Sequence, residues 1–287
     1  MRLSRAVAVA ASALLSVTAL AACAQETTTP SPQATGVDAC APENLTLKNP
    51  GVLTVGTSKP AFPPYVIDDD PTNGEGLESA LAYAVAEQLG FSTDQVQWTF
   101  APFAKLFQPG DKDYDFALNQ ISISPKRAQQ VDFSTPYYSA PQAILALKAN
   151  GVADATTIAD LQGAKIGVQT GTTSLDFVEA VIQPTQDVAV FQDTNAAKQA
   201  INNGQIDAFV TDLPTALYIT AVQIPKSTVV GQFESQTEAD QWGLVVQKGS
   251  ALTACVNEAL AALTESGQLQ DITNQWMADY TEAPVIS

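Results

Sequence analysis

Four short segments of this sequence carry residue types suited to gripping a small molecule that bears both charges. The first is Asn119-Gln120-Ile121-Ser122-Ile123-Ser124-Pro125-Lys126-Arg127. Ser124 suits an N-cap and Pro125 the first helical position, which places Arg127 in the first turn, beside unpaired backbone N–H groups. A guanidinium there offers a two-pronged fork to a carboxylate, and the helix N-terminus adds partial positive charge. Ser122, on the preceding loop, adds a hydroxyl. The plain alternative is a solvated arginine beside a helix cap.

The second segment is Val168-Gln169-Thr170-Gly171-Thr172-Thr173-Ser174. Gly171 permits a tight turn, and the N–H groups of Thr172 and Thr173 are then free to face an anion, unless this is a simple helix cap. The third ends Phe209-Val210-Thr211-Asp212. Asp212 is an acceptor-only group suited to an ammonium, or else it caps a helix running from Pro214. The fourth is Ala61-Phe62-Pro63-Pro64-Tyr65, stiffened by its prolines, with Phe62 as an apolar wall. Phe103 is a second such wall, and core packing is the alternative for both rings. Carboxylate donors, an ammonium acceptor and aromatic walls are together what a zwitterion requires.

These segments need a scaffold that brings them to one place, and hydrophobic periodicity supplies it. Strands are expected at Gly51–Gly56, Val96–Phe100, Tyr114–Ile121, Ile144–Lys148, Lys165–Val168, Val188–Phe191, Ile206–Val210 and Trp242–Val246. Helices are expected at Leu77–Leu89, Ser174–Val181, Asn195–Asn202, Ala251–Ser266 and Leu269–Tyr280. Alternation of strand and helix implies α/β lobes with largely parallel sheets, and the pattern restarts near Ile158, implying two lobes. In such sheets ligands sit beyond the carboxyl ends of strands, where all four segments fall.

Composition removes other readings. The 287 residues carry a net charge of −17 and no histidine. Nucleic acids and anionic lipid surfaces are repelled, so no nucleic-acid partner is expected. Histidine-dependent catalysis and zinc sites are excluded, and no metal or organic cofactor is expected. The chain opens with Arg2 and Arg5, then an apolar run from Ala6 to Leu20, too short for a comfortable membrane span. The run ends in Leu20-Ala21-Ala22-Cys23, which resembles a bacterial lipobox with Cys23 as the lipidated residue; an ordinary signal peptide with a chance cysteine is the alternative. Residues 1–22 are then a signal peptide, and 23–45 a lipidated cysteine and flexible tether rich in Thr, Pro, Gln and Ser. The remaining Cys40 and Cys255 are either buried thiols or, as export favours, a disulfide.

At the four segments the chain resembles the family 3 solute-binding proteins of ABC transporters, from about Leu53 to Tyr280. Asp115-Phe-Ala-Leu-Asn-Gln-Ile-Ser-Ile-Ser-Pro-Lys-Arg127 and Val131-Asp-Phe-Ser-Thr-Pro-Tyr-Tyr138 carry the strongest likeness. Lys165-Ile-Gly-Val-Gln-Thr-Gly-Thr-Thr173 and Gly204-Gln-Ile-Asp-Ala-Phe-Val-Thr-Asp212 follow in order. The resemblance implies a two-lobed periplasmic-binding-protein-like fold of type II, with the cleft between lobes joined by two crossing strands. Lobe one would span 46–140 plus 240–287, and lobe two 141–239. It implies that Arg127, Ser122 and the N–H of Thr172 or Thr173 hold an α-carboxylate. Asp212 and the Gln120 carbonyl would take the α-ammonium, and Phe62, Phe103 and Gln169 would line the side-chain pocket.

Two departures bear on the ligand. Ser58 stands where several members carry an acid that meets a cationic side chain. Asn119-Gln120 stands where many have small residues. The expected ligand is an amino acid with a neutral polar side chain, delivered by a monomer to a membrane ABC permease, with the lipid anchor as the membrane attachment. Two alternatives remain on this fold: a sensor or surface lipoprotein without a permease, and a dehydratase acting on cyclic carboxylic acids, which would need a general acid or base in the cleft.

Overall fold

A computed structural model describes residues 39–233 and 239–286. The leader, Cys23 and most of the expected tether lie outside the described residues. No helix among the described residues is long and apolar enough to cross a membrane.

The chain first lays down β1 (Leu53–Thr57), α1 (Leu77–Gln88), β2 (Val96–Phe100), the one-turn α2 (Phe103–Leu106), β3 (Phe116–Ala117), the one-turn α3 (Pro125–Ala128) and β4 (Val131–Ala140). It continues through β5 (Gln142–Leu147), α4 (Ile158–Leu161), β6 (Ile166–Gln169), α5 (Thr173–Phe177), β7 (Ala189–Phe191), α6 (Thr194–Asn202), β8 (Ala208–Asp212), α7 (Leu213–Tyr218) and β9 (Ser227–Gln232). β10 (Asp240–Gln247), α8 (Leu252–Glu265) and α9 (Gln268–Met277) follow. The strands form two five-stranded sheets, ordered β2-β1-β3-β10-β4 and β7-β6-β8-β5-β9. This is the two-lobed α/β architecture expected.

The sheets are more mixed than strand–helix alternation suggests. β1, β2 and β3 are parallel, as are β6, β7 and β8. β10 runs antiparallel to β3 and β4, and β5 antiparallel to β8 and β9. The antiparallel members flank the two crossings between sheets, at Ala140–Gln142 and just before Asp240, where Asp240 pairs with Ala140. Strands that enter from the other lobe need no helical crossover and so escape the parallel rule.

Each sheet is covered on both faces. In β10, Leu244 and Val246 join the core under α1, α8 and α9, while Val245 joins the opposite core with Leu106, Tyr114 and Ile121. In β8, Ala208 and Val210 face one core and Phe209 the other. Successive side chains leave a strand on opposite faces, so these strands read as continuous apolar runs. α1 is preceded by Gly76 at its N-cap, whose φ of 100° and place against Tyr65 leave no room for a Cβ: it would lie 2.4 Å from the Tyr65 carbonyl oxygen.

Both ends of the folded chain differ from expectation. The tether was expected to run through residue 45, but Cys40 and Leu45 pack against the first core, and Cys40 is disulfide-bonded to Cys255 in α8. At the other end, residues assigned to lobe one reach the second sheet. Val285 bridges Gln232, and Ile286 is buried in the second lobe's core. That short apolar end finds there a hydrophobic site and an open sheet edge at β9.

The disulfide closes a loop across a sequence separation of 215, and constraining so long a loop in the unfolded chain is worth up to about 5 kcal/mol. Urea unfolding with and without reductant should therefore show a midpoint lowered on reduction, and the Cys40→Ala/Cys255→Ala chain should match the reduced protein. Identical midpoints would show that the bridge adds nothing.

Candidate functional site

A cavity of about 520 Å³ lies between the lobes. All nine positions expected to bind ligand line it: Phe62, Phe103, Gln120, Ser122, Arg127, Gln169, Thr172, Thr173 and Asp212. They arrive from the ends of β1, β2, β3, β6 and β8, the carboxyl edges of the parallel strands.

Arg127 stands in the one-turn α3, capped as expected, with its N–H donating to Ser124 Oγ at 3.3 Å. The side chain is only 7% exposed. Nη1 donates to the Ser122 carbonyl at 2.6 Å, and Nη2 crosses the cleft to the Gly171 carbonyl at 3.0 Å. Its carbon sits 4.4 Å from the Phe107 ring centroid and 5.8 Å from that of Phe103. Phe103 is thus a support for the guanidinium as much as a pocket wall, and Phe107, absent from the sequence reading, shares that task. The ion pairs among the described residues are Lys48–Asp113 and Lys248–Asp132, so Arg127 is buried without a carboxylate in ion-pair reach. Burial pulls its pKa down, while Asp240, Asp212 and Asp176 at longer range oppose that shift.

Ser122 makes two contacts at the cleft. Its carbonyl holds Arg127, and its hydroxyl meets Thr173 Oγ1 across the cleft at 3.3 Å. Thr173 Oγ1 in turn donates to Asp240 Oδ2 at 2.7 Å. Thr172 is the N-cap of α5 with no side-chain cap, and its hydroxyl donates to the Gln169 carbonyl at 2.8 Å. Gly171, at φ 74°, makes the turn that presents these residues. Gln169 Oε1 accepts from Thr194 Oγ1 at 2.8 Å.

Asp212 ends β8 and does not cap α7 through its side chain. Its Oδ1 accepts from Gln142 Nε2 at 2.7 Å. Burial pushes its carboxyl up to about 8, helped by neighbouring Asp240 and opposed by the Gln142 hydrogen bond and by Arg127.

Gln120 holds the largest surprise. It adopts φ 48°, and both its backbone N–H (2.6 Å) and its side-chain amide donate to Glu78, which also accepts from the Tyr137 hydroxyl. One N–H of the amide is therefore committed to Glu78. Glu78 is 1% exposed in the first turn of α1, and burial pushes its carboxyl up to about 7 against those hydrogen bonds. Glu78 does not line the cavity; Gln120 does. A single acid inside the apolar face Leu77, Leu81, Ala82, Val85 was the sequence signal for it.

Further contacts join the lobes at the cavity wall. The Tyr65 hydroxyl lies 2.9 Å from Thr215 Oγ1, and Lys198 Nζ sits 4.2 Å above the Phe62 ring while donating to Gln223. Ser58 Oγ donates to Asn119 Oδ1 at 2.6 Å. Side chains of both lobes meet across the cleft around a partly open space lined by polar and apolar groups alike. Chemically it presents at one wall a guanidinium without an ion-pair partner among the described residues, and at another the Asp212 carboxyl.

Residues 53–279 match the model of bacterial extracellular solute-binding proteins, family 3, and the chain belongs to that family. It is 31% identical over 241 residues to the L-cystine-binding protein TcyJ of Escherichia coli strain K12, covering 82% of this chain and 86% of that one. Among solved structures, an ancestral arginine-binding protein bound to glutamine superposes with a TM-score of 0.66 at 33% identity, covering 79% of this chain and 97% of the other. The ancestral amino acid-binding protein AncCDT-1, described as a precursor of cyclohexadienyl dehydratase, gives 0.65 at 29% identity, with 79% and 95% covered. The named relatives are binding proteins.

The raised Asp212 carboxyl fixes a sign for stability. A folded-state value near 8 against an ordinary 3.8 means the folded protein holds this proton more tightly than the unfolded chain. The resulting stabilisation is complete below the ordinary value and is lost as pH rises through about 8. In the ligand-free protein, Asp212→Asn should therefore raise the melting temperature more at pH 9 than at pH 5. An effect independent of pH would contradict a half-buried, proton-holding Asp212.

Proposed function

We propose that this chain is the solute-receiving component of an ABC importer and captures an L-α-amino acid with an uncharged polar side chain. Arg127, with Ser122 and the N–H groups of Thr172 and Thr173, holds the α-carboxylate. Asp212 and the Gln120 carbonyl hold the α-ammonium. Phe62, Phe103 and Gln169 border the side chain. Closure of lobe one on lobe two then presents the loaded form to a permease. Cys23 carries a lipid that holds the monomer at the outer face of the cell membrane, and the segment after it serves as a tether.

The observation that carries this reading is the buried Arg127 guanidinium, without an ion-pair partner among the described residues, sharing one cavity with Asp212. A buried charge is costly unless paired, and an amino acid supplies both missing partners at once. Ser58, Asn119, Gln169 and Thr194 in the lining favour a neutral polar side chain. A cystine-sized solute is the second reading, favoured by the cavity's volume and by the relative named for L-cystine. A binding role rather than catalysis is supported by the relatives, which are named as binding proteins.

A thermal-shift panel of the common amino acids, with cystine and prephenate-like acids, tests this, since ligand bound to the native state raises its melting point. L-Glutamine or a similar neutral polar acid is expected to give the largest shift. Arg127→Ala removes charge-assisted bonds worth about 1.5–3 kcal/mol each and should weaken binding about 100-fold or more. A dominant cystine shift would select the second reading. No shift from any amino acid, on folded and ligand-free protein, would sink both.

A further inference from the structure

One buried amide ties the cavity to the hinge. Gln142 opens β5, two residues past the end of β4, and is 5% exposed. Its Nε2 donates to Asp212 Oδ1 and to Asp240 Oδ2, each at 2.7 Å, while its Oε1 accepts from Ser174 Oγ at 2.6 Å. Both amide hydrogens are thus engaged by carboxylates. A flipped amide would turn its carbonyl oxygen against two carboxylates, so the orientation is locked.

Asp240 opens β10 and pairs in register with Ala140, so it stands on the second crossing as Gln142 stands on the first. The hydrogen bonds continue from Asp240 to Thr173 Oγ1 and from Thr173 to Ser122 Oγ. Thr173 spends its hydroxyl hydrogen on Asp240, so Ser122 is the donor at that last contact. The Ser122 carbonyl holds Arg127. An unbroken path therefore runs Asp212–Gln142–Asp240–Thr173–Ser122–Arg127, through both lobes and both hinge strands.

We infer that Gln142 is a positioning residue that sets the spacing between the ammonium acceptor Asp212 and the carboxylate donor Arg127, and so makes the site selective for α-amino acids over their β-homologues. This rests on the amino-acid reading above. Asp212 without its tether is free to follow a displaced ammonium; with it, the acceptor stays at one distance from a guanidinium fixed through the same path. The groups acting on Asp212 are Asp240 from β10, Arg127 from α3, Glu78 from α1 and the Tyr65 hydroxyl from the loop after β1. Gln142 is the neutral donor among them.

The test uses the soluble chain, the panel amino acid with the largest shift (L-glutamine on the reading above) and its β-homologue, by titration calorimetry at several pH values. Gln142→Met keeps the length and removes both donors. It should weaken α-amino-acid binding about 10- to 100-fold, weaken β-homologue binding less, and raise the pH at which affinity falls. Asp240→Asn removes an anion beside Asp212 and should move that pH in the opposite direction, a contrast that holds even if Gln142→Met folds poorly. Equal losses for α- and β-ligands with an unmoved pH profile, or no loss, would overturn the inference while leaving the amino-acid reading intact. Failure of the native protein to bind any amino acid would overturn both.

Discussion

The structure is organised around a positive charge it does not neutralise. Arg127 is held by two backbone carbonyls and two aromatic rings, all of which orient it and none of which cancels its charge. Carboxylates surround it at longer range, Asp212, Asp240 and Asp176, near enough to be felt but outside ion-pair distance. A chain with a net charge of −17 has no shortage of acids with which to pair an arginine. Leaving this one unpaired preserves a preorganised fork whose remaining N–H groups have one chemically sensible partner, an incoming carboxylate.

The surrounding network serves the same end from the opposite sign. Glu78 and Asp212 are carboxyls in surroundings that resist ionisation. Glu78 is saturated with donors and shapes the strained Gln120, which in turn forms the cavity wall. Asp212 has one oxygen tied by Gln142, with its charge felt at Arg127. Buried Glu78 is structural and half-buried Asp212 is placed to act, and the difference lies in which of them lines the cavity. The Arg127–Gly171 and Ser122–Thr173 hydrogen bonds join the two lobes across the cleft.

Much of this was legible in the sequence, for identifiable reasons. β2 begins and ends where expected, and α1 within a residue, because period and stop signals agree. The strand expected over Tyr114–Ile121 shrinks to Phe116–Ala117, since the chain must leave the sheet to present Asn119 to Ser122 to the cleft. The ten-residue β4 was not read as a strand because Pro136 and its polar neighbours mask it. As an edge strand opposite a register shift at Gly243 it tolerates a proline. The cavity residues were found because each lies at a strand end. Glu78, Gln142 and Asp240 were missed because they act on other side chains rather than on the cavity. Their hydrogen-bond partners lie between 32 and 98 positions away in the chain, where no local pattern can reach.

The most direct measurement is a crystal structure of the soluble chain grown with the amino acid that stabilises it most. The account predicts the α-carboxylate on the Arg127 fork, with Thr172 and Thr173 N–H groups behind it, and the α-ammonium on Asp212. A ligand bound elsewhere, or in this cleft with Arg127 still making no carboxylate contact, would contradict it.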